Sequence, residues 1–136
     1  MQTLYTSEIF EVQFDEANKL LVSKFITDDY VDEQEFYDNL LQLIPFLKQK
    51  IADKAIVDTK NVTFPVTDEI INWILQNITP HFVENDIKRV AYILPTDILS
   101  RTGLEFFVEK LFASTPQIER MIFDDEQKAM EWILRK

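Results

Sequence analysis

An α/β domain built on a mixed sheet is the fold class this sequence predicts. Two observations lead there. The chain opens on an alternating apolar and polar stretch that reads as a β-hairpin. Beyond it, short apolar runs alternate with segments whose apolar residues recur at steps of three and four. The expected order is β-β-α-β-α-β-α-β-α, parallel where helices make the crossovers and antiparallel at the hairpin. At 136 residues the chain has the length of one ordinary core, so residues 1–136 are expected to form a single domain.

The hairpin is expected over residues 8–14 and 20–26. Ile9, Phe10, Val12 and Phe14 alternate with polar neighbours, and residues 15–19 supply turn-forming side chains between the two strands. The first helix is marked by Phe36, Leu40, Leu43, Ile44, Leu47 and Ile51. Asp28, Asp29, Asp32, Glu33 and Glu35 lie at its start, where negative charge meets the positive end of the helix dipole, and Asp32 with Glu35 has capping-box spacing. The alternative use of such acids, a calcium loop, lacks the glycine its sharp turn needs. Pro45 falls inside the helical pattern and predicts a kink or a restart.

Ala55, Ile56 and Val57 read as a central strand buried on both faces. A loop over residues 61–66 leads to a helix from about Asp68, with Thr67 as N-cap and Ile70, Ile71, Ile74 and Ile78 inward. Thr79 and Pro80 end that helix and begin another short turn. Residues 89–94 form the next strand, followed by a helix carrying Leu104, Phe107, Val108 and Leu111. The last unit is a strand over 119–123, a cap at Asp124 and Asp125, and a terminal helix with Ala129, Met130, Ile133 and Leu134.

Composition narrows the chemistry. With no cysteine, disulfides, thiolate nucleophiles and cysteine-based metal sites are excluded, and the cytoplasm is the expected compartment. No opening segment has the form of a signal peptide, and no uncharged stretch approaches membrane-spanning length, so no membrane insertion is expected. A formal charge of -10 repels phosphate backbones, which argues against nucleic acid as a partner. The one imidazole, His81, has no serine motif beside which to act as a base, and the one glycine, Gly103, sits in a helical pattern rather than in a phosphate-binding loop. No catalytic, metal or cofactor site is expected. The adjacent rings Phe106 and Phe107 point about 100° apart on a helix, so one of them is either part of a wide core face or an exposed contact for a second copy or an apolar ligand.

The order of elements and two stretches resemble a known family. Residues 54–70, Lys-Ala-Ile-Val-Asp-Thr-Lys-Asn-Val-Thr-Phe-Pro-Val-Thr-Asp-Glu-Ile, are similar to the central strand, loop and helix start of STAS domains. Residues 89–97 and 121–134 resemble the SpoIIAA-like branch, which ends in a strand, an acidic turn and a helix with an Ala-x-x-Trp-Ile pattern. The resemblance implies a single STAS-like domain with its helices gathered mainly on one face of the sheet, related in fold to lipid-binding domains of the CRAL-TRIO type, acting as a non-enzymatic protein-interaction module. Carried across, the family's Asp-Ser-Ser-Gly-Leu falls on Val66, Thr67, Asp68, Glu69 and Ile70. Asp68 therefore stands where the family has its phosphorylated serine, either as a partial mimic of the phosphorylated state or as an ordinary first-turn acid. Thr63, Phe64, Thr67 and Asp68 are the candidate binding residues, with a protein or a second copy as partner. The alternative is a carrier of a small apolar or lipid-like ligand held between sheet and helices.

Overall fold

The computed structural model describes residues 1–135. Six strands form one sheet in sequence order: β1 (Gln2–Thr6), β2 (Phe10–Asp15), β3 (Leu20–Phe25), β4 (Lys54–Asp58), β5 (Arg89–Ile93) and β6 (Glu119–Phe123). The first two pairings are antiparallel, and β3 through β6 are parallel. Helices α1 (Glu33–Leu41) and α2 (Ile44–Lys48) join β3 to β4, α3 (Asp68–Asn77) and α4 (Thr79–Glu84) join β4 to β5, and α5 (Ile98–Ser114) joins β5 to β6. Helix α6 (Glu126–Ile133) follows the last strand. The α/β class with a mixed sheet is thus the observed one. Among the described residues no helix is long and apolar enough to cross a membrane.

The expected order lacked one strand. Gln2–Thr6 pairs with β2 along the sheet edge, and two of its residues span one step of the partner between Thr3 and Tyr5. That bulge breaks the period-two pattern by which a strand is read. The edge is tied to the helical layer through the buried Asn39 of α1, whose Oδ1 accepts from the Tyr5 hydroxyl at 3.1 Å and the Ser7 hydroxyl at 2.7 Å.

Strands β3, β4 and β5 bury both faces. On one, Leu21, Ala55, Val90 and Tyr92 pack under the residues α1 to α5 turn inward, among them Phe36, Leu47, Ile71, Phe82 and Leu111. On the other, Leu20, Val22, Ile56, Ala91 and Ile93 are covered by Ala129, Trp132 and Ile133 of α6. Strands β4 and β5 therefore carry continuous apolar runs, residues 55–57 and 90–93.

Side-chain caps start α1, α5 and α6, the first and last where the sequence predicted. Asp32 accepts from the Glu35 amide at 3.1 Å, Asp97 from Ser100 at 3.1 Å and Asp125 from Lys128 at 2.8 Å. Pro45 and Pro80 both sit in the first turn of a restarted helix, where a missing N–H costs no bond. Arg89, at the start of β5, closes a helix end: it donates to the carbonyls of Ile133 (3.3 Å) and Arg135 (2.7 Å) and lies 4.2 Å from the Trp132 ring centre. Lacking other glycines, the chain places Lys19, Lys50 and Asp86 in the left-handed turn positions, with φ of 51°, 54° and 63°.

Gly103 is a packing residue. A Cβ built there would lie 2.5 Å from the Val66 carbonyl oxygen, so α5 and the backbone after β4 touch only because no side chain intervenes. Alanine is the better helix former by about 1 kcal/mol, but the obstructing atom is backbone and cannot rotate away. Gly103→Ala should therefore cost about 1 to 3 kcal/mol of stability, the range for overpacked sites. Urea unfolding checks this, and a variant more stable than wild type would show that α5 and the loop separate freely.

Candidate functional site

The candidate residues lie between β4 and α3, at the end of the sheet where the parallel strands finish. Chain direction changes as the strand ends: Asp58 Oδ1 accepts from the Lys60 amide at 3.0 Å, and the buried Thr59 donates its hydroxyl to the Ile93 carbonyl at 2.7 Å. Asn61 Nδ2 then donates to the Phe25 carbonyl at 3.1 Å. The loop is thus pinned to both neighbouring strands, β3 and β5.

The four candidates divide. Thr63 donates its hydroxyl to the Asp28 carbonyl at 2.7 Å, joining this loop to the one after β3. Phe64 is buried and meets the Phe36 ring edge-on, 5.5 Å between centres, so it anchors the loop from beneath instead of presenting a surface. Thr67 caps α3 by accepting from the Ile70 amide at 3.3 Å. Asp68, exposed in the first turn, makes no side-chain hydrogen bond or ion pair among the described residues. Its charge is free for an outside group.

The sequence did not reveal what surrounds the loop. Ile98 and Leu99, in the first turn of α5, are 77% and 75% exposed, and Tyr30, in the loop after β3, is 80% exposed. All three follow strand C-terminal ends, on either side of the candidate loop in the strand order, and the Gly103–Val66 contact fixes α5 against that loop. In open α/β sheets this is the end where ligands bind. Of the pair on α5, Phe106 is half exposed and Phe107 buried; Phe112 is likewise half exposed. Trp73 lies flat against Tyr37, 4.1 Å between centres.

Electrostatics at this end come mostly from carboxylates. The Ser100 amide and hydroxyl hold Asp97 below its ordinary value, consistent with its capping role. Burial pushes the Asp58 carboxyl up, and the Glu126 charge adds to this; the Lys60 amide and the Lys24 ammonium oppose it. His81, on α4, has a buried Nδ1 without a hydrogen-bond partner. Among the described residues no three His, Asp or Glu side chains converge as a metal site would need.

Two outcomes follow. Thr67→Ala should cost about 1 kcal/mol by removing the cap, whereas Asp68→Ala should change stability by no more than a few tenths to about 1 kcal/mol; chemical denaturation of both variants checks the division between structural and free residues. For Asp58, a raised folded value means that ionisation costs stability, a cost present above that value and lost as pH falls through it. Asp58→Asn keeps an oxygen for the Lys60 amide and removes the charge, so its Tm should exceed wild type at pH 7, with the gain vanishing by about pH 4. A lower Tm at pH 7 would mean that attraction to Lys24 outweighs burial. No protein-family model matches this chain, and neither does any curated protein or solved structure.

Proposed function

We propose that this chain is a non-enzymatic, STAS-like interaction domain that binds a protein partner through the sheet end formed by residues 63–68 and the first turn of α5. The observation that carries the reading is the unspent Asp68 carboxylate on the same sheet end as Ile98 and Leu99, two aliphatic side chains left about three-quarters exposed. Aliphatic exposure of that degree is ordinary for one isolated residue; adjacent and beside a pinned polar loop, it fits a contact surface. The loop's hydrogen bonds to both neighbouring strands support a preformed surface, which lowers the ordering cost of binding. With a net charge of -10, the surface suits a partner with basic residues around an apolar centre. A second copy of the chain is the other protein partner, through the exposed Phe106 and Phe112 on α5.

A second reading, a carrier of a small apolar ligand between sheet and helices, is favoured by one feature: a largely apolar cavity of about 60 Å³ beneath α3 to α5.

The interaction reading is tested by immobilising wild type, Asp68→Lys and Leu99→Glu and comparing the proteins each captures, with circular dichroism as the control for folding. Both substitutions should abolish capture of the partner held by wild type. Equal capture by all three would end the loop reading, and sedimentation showing a dimer broken by Phe106→Glu alone would assign the interface to α5's outer face.

A further inference from the structure

The cavity under the helices has a charged corner. Ser23, Val57 and Tyr92 form one cross-strand row on the helix-covered face of β3, β4 and β5, and all three border the gap. Ser23 is small, and lies between Leu21 and Phe25 on that face, so the space above it is unfilled. At one side stands Arg120 of β6, 5% exposed, with Tyr92 6% exposed beside it.

Arg120 is buried with neutral partners only. Nη1 donates to the carbonyls of Thr115 (2.7 Å) and Ile118 (3.2 Å), Nη2 to the Thr115 hydroxyl, and Nε to the Tyr92 hydroxyl at 3.4 Å. These bonds close the C-terminal end of α5, whose dipole offsets part of the positive charge. No carboxylate forms an ion pair with it among the described residues. A guanidinium has five N–H groups, and four are used here, leaving one on Nη2. The Tyr92 hydroxyl accepts from Arg120, and its own proton goes to no acceptor among the described residues. Two spare donors and a full charge thus border a cavity whose remaining walls include Phe107, Leu111 and Ile74. Buried charges are ordinarily paired, because leaving one without a counter-ion is expensive.

We propose that this cavity is a binding site for a small monocarboxylate with a short apolar tail, its carboxylate taking the free Nη2–H of Arg120 and the Tyr92 O–H, its tail filling the space over Ser23 and Val57. The inference rests on the carrier reading and adds to it the charge and size of the ligand. A water needs about 10 to 15 Å³ of such space, so a cavity of about 60 Å³ takes roughly four to six non-hydrogen atoms, the upper end being the size of butyrate or isobutyrate, and excludes a long-chain lipid without rearrangement.

The test is an NMR titration of labelled protein with isobutyrate and, separately, with isobutanol, which has the same tail and no charge. The Arg120 Nε–H and the amides of Val57 and Tyr92 report occupancy. Isobutyrate should shift them saturably, and at least about tenfold more tightly than isobutanol, the size of a charge-assisted bond. Tyr92→Phe, which keeps the ring, should weaken isobutyrate about fivefold and leave isobutanol unchanged. Equal binding of acid and alcohol would overturn the carboxylate assignment and leave the carrier reading standing. Saturation by neither would overturn both. Arg120→Met should lose the preference for the acid; because Arg120 also closes α5, Tyr92→Phe decides the matter if that variant fails to fold.

Discussion

Strands β3, β4 and β5 must bury two faces, and the second face is covered by eight residues of helix. That constraint organises the molecule. Helices α1 to α5 can share the first face among many contacts, but Leu20, Val22, Ile56, Ala91 and Ile93 have only α6, through Ala129, Trp132 and Ile133. A helix that short is marginal alone and owes its form to the face it covers. Its ends are accordingly held from outside the apolar contact: Asp125 caps the start, and Arg89, itself part of β5 in the covered sheet, closes the end and lies over Trp132. At that layer's edge Asp58 keeps a carboxylate nearly out of water, where Glu126 of α6 adds to the cost of its charge.

The two arginines at strand starts solve the same problem in different settings. Arg89 and Arg120 begin adjacent strands, face opposite sides of the sheet, and each reaches the carbonyl end of a helix. Arg89 balances its charge with Glu119 at 3.4 Å and remains partly in solvent. Arg120 has neither a carboxylate nor water around it in that measure, being 5% exposed among carbonyls, hydroxyls and rings. The difference between them is what makes one a structural closure and the other a candidate binding group as well.

How much of this the sequence carried depends on range. Local chemistry was legible: the caps at Asp32, Thr67 and Asp125 act over three residues, and the restarts at Pro45 and Pro80 follow from one missing N–H. So was the two-sided burial of β4, since a strand buried on both faces loses its alternation. Strand β1 was not legible, because its bulge scrambles the pattern and its outer residues are polar. Phe64 illustrates the limit within the candidate site: beside exposed Thr63 and Pro65 it reads as a loop residue, and only Phe36, twenty-eight positions earlier, makes it an anchor. Arg120 is the strongest case. Between Glu119 and Met121 it looks like one more surface cation, and nothing in that stretch announces that the end of α5 will close over it.

The scarcity of glycine has a meaning beyond the turns and the single contact it governs. A polypeptide with one glycine in 136 residues has a narrower range of backbone states available when unfolded, since every other position carries a Cβ that forbids much of its dihedral space. Lys19, Lys50 and Asp86 give some of that advantage back by holding conformations their side chains disfavour. Part of this protein's stability therefore resides in no contact of the native structure at all: it comes from the disorder that the denatured ensemble never had.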